Sequence, residues 1–163
     1  MPAPTPPYVP GHALLAGKTV VVTAAAGTGI GSAVARKAIE EGATVLISDF
    51  HERRLGETAD RLAEETGSRP FTQVCNVTVE DDVQALVAAA VEHLGGIDVM
   101  INNAGLGGSA PIVDMTDEQW STVLDVTLTG TFRCTRAVLR HMVERGGGVI
   151  VNNASVLGWR AQA

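Results

Sequence analysis

Apolar residues along the chain fall into short unbroken runs, separated by stretches where they recur every three or four positions. Thr19 to Ala24 (TVVVTA) is a β-branched run of the kind buried on both faces of a parallel sheet. Ile30 to Glu41 carries helical periodicity and stops at Gly42, a suitable C-terminal cap. Ala43 to Asp49 is a second buried strand, and Glu52 to Thr66 is a polar-faced helix with Gly67 just beyond it. Phe71 to Val77 is a third strand. Thr78 is placed to cap a helix over Val79 to Leu94, closed by Gly95 and Gly96. Ile97 to Gly105 is a fourth strand running into a loop. Thr116-Asp117-Glu118-Gln119 fits a capping box and opens a long helix to about Glu144. Gly146 to Gly148 breaks that helix, and Val149 to Asn152 is a fifth strand.

Strand and helix alternate throughout, which predicts right-handed βαβ units: an α/β fold with a doubly wound parallel sheet in three layers, α/β/α. Ligands of such sheets bind outside the carboxyl ends of the strands, where the strand order reverses. The residues just after strands therefore carry the most information about function.

Composition narrows the choices. The chain has 163 residues, 45% of them hydrophobic and 18% charged, which suits one globular domain. The net charge of −6 argues against a nucleic-acid or anionic-membrane surface. It leaves room for an anionic cofactor, because helix N-terminal amides bind phosphate without net charge. Cys75 and Cys134 form no CxxC pair and read as buried thiols in a reducing compartment, the cytoplasm; no metal site is expected. Residues 1–16 hold five prolines in the first ten positions and no basic residue before Lys18. They read as an extended, polyproline-like arm, not a signal peptide, lying loose or against a neighbouring subunit. No apolar run reaches the roughly 20 residues of a membrane span.

Thr23 to Ala33 (TAAAGTGIGSA) follows the first strand. Gly27, Gly29 and Gly31 stand where the chain turns into a helix. A Cβ there would hold the backbone away from a pyrophosphate, and the helix start aims its free amides at that charge. A glycine-rich turn without ligand is the plain alternative, and the motif alone is a weak signal. Asp49 ends the next strand, 49 − 31 = 18 residues after Gly31, close to the spacing of about 20 for an acidic group on a ribose. A carboxylate there accepts hydrogen bonds from both ribose hydroxyls and repels a 2′-phosphate. It therefore favours NAD over NADP, with His51, Arg53 and Arg54 nearby to soften the preference. A solvated strand-end aspartate is its alternative.

Four segments resemble the short-chain dehydrogenase/reductase family from about Gly17 to the last residue. They are the glycine segment; Asn102-Asn103-Ala104-Gly105; Leu124 to Gly130 (LDVTLTG); and Asn152-Asn153-Ala154-Ser155. The wording of AAAGTGIG and NNASVLGWRAQ is similar to a group of actinobacterial reductases of sterol-ring and acyl-CoA breakdown. The resemblance implies a Rossmann-type domain over residues 17–163 and an oxidoreductase that moves a hydride between a nicotinamide cofactor and a carbonyl or secondary alcohol. It implies that Gly27, Gly29 and Gly31 line the pyrophosphate, that Ile30 supports the nicotinamide face, and that Asp49 binds the adenosine ribose. Asn76 stands where the family has an aspartate that meets the adenine amine, and Asn103 and Gly105 sit beside the adenosine half. Ser155 hydrogen-bonds the substrate oxygen, and Thr127 occupies the place of an asparagine whose backbone holds a relay water. A homo-oligomer, dimer or tetramer, is expected of the full-length protein.

Three departures stand out. Ala24 replaces the family's first glycine, and the spacer to Gly29 is one residue longer. Thr127 replaces asparagine, on or beside an apolar face made by Trp120, Val123, Leu124 and Leu128; bonding to the carbonyl one turn earlier is its structural alternative. The sequence has one tyrosine, Tyr8, and no Tyr-x-x-x-Lys, the family's acid/base pair. The fold is thus expected to be truncated after the fifth strand, with Val149 to Val151 an apolar edge. These residues alone are expected to turn over no carbonyl, which leaves a non-catalytic dinucleotide-binding or assembly module as the alternative function.

Overall fold

The computed structural model describes residues 6–107 and 110–155. Five strands form one parallel sheet in the order β3-β2-β1-β4-β5. They are β1 (Thr19–Val22), β2 (Thr44–Asp49), β3 (Phe71–Val74), β4 (Val99–Asn102) and β5 (Val149–Asn152). The order reverses between β1 and β4. Val22 pairs with Ile47 on one side and Ile101 on the other, which brings the ends of three strands level.

The helices are α1 (Ile30–Glu40), α2 (Glu52–Thr66), α3 (Glu80–Leu94), α4 (Asp117–Leu124) and α5 (Gly130–Glu144). Val20, Val22, Val45 and Ile47 pack with the buried sides of α1 and α2. Val21, Leu46 and Met100 pack with α3 and α5 through Val83, Leu86 and Val138. Successive strand residues point to opposite faces, so a sheet covered on both sides needs an unbroken apolar run. Each such buried Val, Leu or Ile contributes about 1.5–3 kcal/mol relative to exposure.

Helix ends follow their sequence signals with one exception. Gly42, at φ 89°, donates to the Ile39 carbonyl, and Ala43 donates to that of Ala38, the paired bonds of a Schellman turn. Thr116 Oγ1 accepts from the Gln119 amide at 3.2 Å while Gln119 Oε1 accepts from the Thr116 amide at 3.0 Å, the expected capping box. Thr78 does not cap α3. Its amide and hydroxyl both donate to Asn76 Oδ1, and the helix starts at Glu80. The acidic first turn, Glu80, Asp81 and Asp82, suits the helix dipole without a side-chain cap.

The long helix expected after Thr116 carries an interruption: Asp125–Thr129 is a π-helical turn, closed by the Gly130 amide on the Asp125 carbonyl. Gly130 explains how the rod fits there. A Cβ on it would lie 2.7 Å from Val77 Cγ2, so only glycine lets this helix come so close to the segment after β3.

The arm packs on its own chain. Glu41 is buried and accepts from the amides of His12 at 2.8 Å and Leu14 at 3.1 Å, and pairs with Lys37 at 2.9 Å. Tyr8 bonds Glu40 beneath the Arg36 guanidinium. Cys75 and Cys134 are free and buried, and burial pushes both thiols up to about 12. Among the described residues β5 pairs only with β4, leaving Val149 and Val151 exposed.

Candidate functional site

The site lies where β1 and β4 end. Thr23 follows β1, and its buried hydroxyl accepts from the amides of Asn103 and Ala104, both at 3.0 Å. Asn103 Nδ2 returns the link, donating to the carbonyls of Thr23 at 3.1 Å and Ala24 at 3.0 Å. Asn103 Oδ1 accepts from Asn153 Nδ2 at 2.9 Å. Asn102 Nδ2 reaches Thr135 on α5 and Asn152 on β5. Asn102 at the end of β4 and Asn103 just after it thus fasten β1, β4, β5 and α5 into one rim. Asn103 spends its side chain on this framework and sets the loop after β4.

The glycine segment turns at Ala24, which holds φ 49° without being glycine. A Cβ in that left-handed region costs roughly 1–2 kcal/mol, the physical reason a glycine suits this position. Gly27 takes φ 90° and absorbs the longer spacer. Its amide is engaged by Thr58 Oγ1 at 2.8 Å, and its carbonyl accepts from Arg61 Nη2 at 2.7 Å. Both backbone groups of Gly27 are thus engaged within the chain. Gly31 is buried; a Cβ on it would sit 2.5 Å from the Ala24 carbonyl oxygen and 2.6 Å from Asn103 Nδ2. It serves close helix–loop packing. Gly29 is the open one: a Cβ there would meet nothing within 4 Å.

Gly29 is the N-cap of α1, with no side-chain cap and no acidic residue in the first turn. The other free-standing helix starts carry acids, Glu52 on α2, Glu80 on α3 and Asp117 on α4. Thr28, Gly29 and Ile30 are exposed there, Ile30 to 64%. Uncapped amides and the positive end of the helix dipole fit a phosphate. These residues fit the diphosphate of a dinucleotide on this chain's own geometry.

Asp49 is buried to 8% exposure at the end of β2. Its Oδ2 accepts from the Ala26 amide at 3.1 Å and its Oδ1 from the His51 amide at 3.0 Å. Each oxygen keeps a further lone pair for a ligand hydroxyl. Asp49 lines a pocket of about 350 Å³ with Ala24, Asn76, Thr78, Gly105 and Val126. Asn76 is exposed there, its Oδ1 already shared by the Thr78 amide at 3.1 Å and hydroxyl at 2.9 Å. What Asn76 offers an adenine is thus reduced relative to an unengaged oxygen.

Thr127 belongs to the π turn. Its hydroxyl accepts from the Leu106 amide at 3.1 Å and donates to the Leu106 carbonyl at 3.4 Å. It does not bond the carbonyl one turn earlier; it holds the loop after β4. The apolar residues beside it, Trp120, Leu124 and Leu128, are exposed rather than in the core. Ser155 lies three residues beyond β5, exposed at the same edge of the sheet. Tyr8 is bonded to Glu40 at the last residue of α1, the end of that helix remote from Gly29. Among the described residues no cluster of His, Cys, Asp or Glu could hold a metal ion, and no helix is long and apolar enough to cross a membrane.

The motifs, the sheet order and this crevice converge on one family. Residues 18–163 match the family model described as short chain dehydrogenase. The chain belongs to the short-chain dehydrogenase/reductases. It is 60% identical over 158 residues to the Mycobacterium tuberculosis (5R,7aS)-5-hydroxy-7a-methyl-1-oxo-2,3,5,6,7,7a-hexahydro-1H-indene-carboxyl-CoA reductase, covering 96% of this chain and 60% of that protein. It is 38% identical over 144 residues to the Thermotoga maritima 3-oxoacyl-acyl-carrier-protein reductase FabG, covering 88% of this chain and 58% of that one. The crystal structure of a short chain dehydrogenase from Mycobacterium smegmatis superposes with a TM-score of 0.94 at 60% identity, covering 98% of this chain and 67% of that one. The chain thus spans about 60% of the length of the curated relatives it matches. As a member of this family it is an oxidoreductase fold of the kind that binds nicotinamide cofactors.

The sequence missed Thr58 and Arg61, which converge on Gly27 together with Arg54. Their spacing of four and three residues, one face of α2, was the available signal.

Proposed function

We propose that this chain forms the dinucleotide-binding part of an NAD-dependent reductase or dehydrogenase. Its substrate would be a ketone or secondary alcohol on a ring or a 3-oxoacyl thioester. The observation that carries this reading is the uncapped, acid-free start of α1 with the buried Asp49 carboxylate beside its loop. The substrate class follows the names of the relatives, a ring-ketone CoA reductase and a 3-oxoacyl reductase. The dinucleotide, when bound, supplies or takes the hydride.

The chain's own residues divide the remaining work. Gly29 leaves room at the head of α1 for the diphosphate, and Asp49 takes the adenosine ribose hydroxyls. Ile30, exposed on the first turn, would support the nicotinamide side, and Gly105 would leave room beside the adenosine. Thr127 keeps the Leu106 backbone, and with it the wall of the crevice, in place. Ser155 would donate a hydrogen bond to the substrate oxygen as negative charge develops there, which is stabilisation of the transition state. The proton needs a separate acid. Tyr8 is held at the far end of α1, and general acid catalysis is typically worth 10²–10⁴-fold.

That last point supports a second reading for the 163 residues by themselves, a dinucleotide-binding module without turnover. The exposed row Trp120, Leu124, Leu128 and Phe132 supports a homo-oligomer of the whole protein. The test is NADH oxidation by the full-length protein against ring ketones and 3-oxoacyl-CoA thioesters. Turnover of one of these supports the enzyme, and none across both classes overturns it. Turnover by the 163-residue chain at its own mass of 16.9 kDa would overturn the need for a further acid.

A further inference from the structure

Three successive amides of the turn after β1 are tied to β2 and α2. Ala25 donates to the Ser48 carbonyl at 2.9 Å, Ala26 to Asp49 Oδ2 at 3.1 Å and Gly27 to Thr58 Oγ1 at 2.8 Å. Thr58 is buried, and its hydroxyl spends its proton on the Arg54 carbonyl at 2.7 Å, which leaves the oxygen to accept from Gly27. Arg61, one turn further along α2, donates from Nη2 to the Gly27 carbonyl at 2.7 Å. Its Nη1 pairs with Glu65 at 3.0 Å, and Glu65 reaches Arg36 of α1 at 3.8 Å. The Arg61 fork is thus braced while it holds the turn.

These two bonds fix two consecutive peptide planes. The Gly27 amide belongs to the peptide before that residue and its carbonyl to the peptide after it. None of the peptide bonds is cis, and in a planar trans peptide the carbonyl and the next N–H point in opposite directions. With the Gly27 carbonyl held towards α2, the Thr28 N–H points away from α2. Thr28 is exposed, and among the described residues its amide has no partner. Gly29 follows directly and opens α1 without a side-chain cap. Gly27, at φ 90°, is also where the turn has most freedom to swing, and a freely swinging donor loses affinity to the cost of ordering it.

We propose that Thr58 and Arg61 are positioning residues for the diphosphate: by clamping both sides of Gly27 they present the Thr28 amide, beside the uncapped amides of α1, as a donor to it. Both act through the Gly27 backbone. The proposal rests on the reading that a dinucleotide places its diphosphate at the head of α1.

The test is binding of NADH, by calorimetry, and of adenosine, by NMR titration, to the full-length protein and to Thr58→Val, Thr58→Ser and Arg61→Met, each first shown to be folded by thermal melting. Adenosine has the ribose for Asp49 and no phosphate, so it reads the crevice without the clamped turn. Thr58→Val should weaken NADH by roughly threefold to tenfold and Arg61→Met by about tenfold, the worth of one hydrogen bond each. Thr58→Ser keeps the hydroxyl oxygen and should stay within about twofold of the parent. Adenosine should stay within about twofold in all the variants. Arg61 is half-buried, and Arg61→Met keeps the test decisive if Thr58→Val fails to fold. Unchanged NADH affinity in the folded Thr58→Val and Arg61→Met proteins overturns the proposal. So does a Thr58→Ser protein as weak as Thr58→Val, or an equal loss of adenosine and NADH, which would assign both residues to the fold of the crevice. In each of these cases a parent that binds NADH leaves the dinucleotide reading standing. A parent that binds neither ligand overturns that reading, and the proposal with it.

Discussion

Asn103 and Thr23 exchange hydrogen bonds across the switch in strand order, side chain to backbone in both directions. The threonine hydroxyl fills two amides after β4, and the asparagine amide fills two carbonyls after β1. Buried backbone groups at two strand ends have no ladder left to pair in, so these side chains take the ladder's place. Asn103→Ala would leave the Thr23 and Ala24 carbonyls without their donor. It should lower stability by about 1–3 kcal/mol, read from a denaturant midpoint shift at constant slope. A shift within about 0.5 kcal/mol would show that the rim holds without it.

Gly29 and Gly31 should respond in opposite ways to the same methyl group. At Gly31 a Cβ meets backbone at 2.5 Å, and Gly31→Ala should destabilise by about 1–3 kcal/mol. At Gly29 the space is empty and φ is −81°, so Gly29→Ala should fold as well as the parent. Its methyl would then occupy the place assigned to the diphosphate, and NADH affinity should drop severalfold or more. A Gly29→Ala protein with unchanged NADH affinity would move the diphosphate away from the head of α1.

Glu41 ties the arm to the body in a pH-dependent way. The Lys37 ammonium, then the amides of His12 and Leu14, hold its carboxyl at about 2, well below the usual 4.5. A group depressed on folding contributes stability that is full above its unfolded value and is lost as pH falls through the folded one. The arm should therefore stay docked above pH 4.5 and loosen between 4.5 and 2. Amide exchange at His12 and Leu14 should rise over that interval. In Glu41→Gln it should already be raised at neutral pH. Flat exchange in the parent would assign the docking to other contacts, such as the Tyr8 stacking.

Thr127 holds the Leu106 backbone, so its substitutions test position rather than chemistry. In the full-length protein Thr127→Asn, which keeps a donor and an acceptor, should leave turnover roughly intact. Thr127→Val should lower it by up to about tenfold, the size of one net hydrogen bond of 0.5–1.5 kcal/mol. Equal rates in all three proteins would make Thr127 a plain helix residue.

Much of this architecture is legible in the sequence because buried parallel strands need unbroken apolar runs, and β1 and β2 supply them. The glycine segment and Asp49 could be placed because both follow strands, where such sheets bind ligands. The π turn at Asp125–Thr129 could not be read, since Thr127 and Leu128 look the same in an α-helix, and only contact with Leu106 gives the extra residue a reason. Thr78 misled for a similar reason. Asn76 Oδ1, two residues away, takes both the amide and the hydroxyl of Thr78, and α3 starts at Glu80 with Val79 at its N-cap. The engagement of Gly27 by Thr58 joins positions 31 residues apart, a distance at which local pattern carries nothing.

The most direct test of the account is a calorimetric titration of NADH into the full-length protein and into Asp49→Ala. The account expects saturable one-to-one binding to the parent. It expects a loss of roughly tenfold to a hundredfold in the variant, the worth of a charge-assisted hydrogen bond of about 1.5–3 kcal/mol. No binding to the parent, or equal affinity in both proteins, would contradict the placement of a dinucleotide ribose at Asp49.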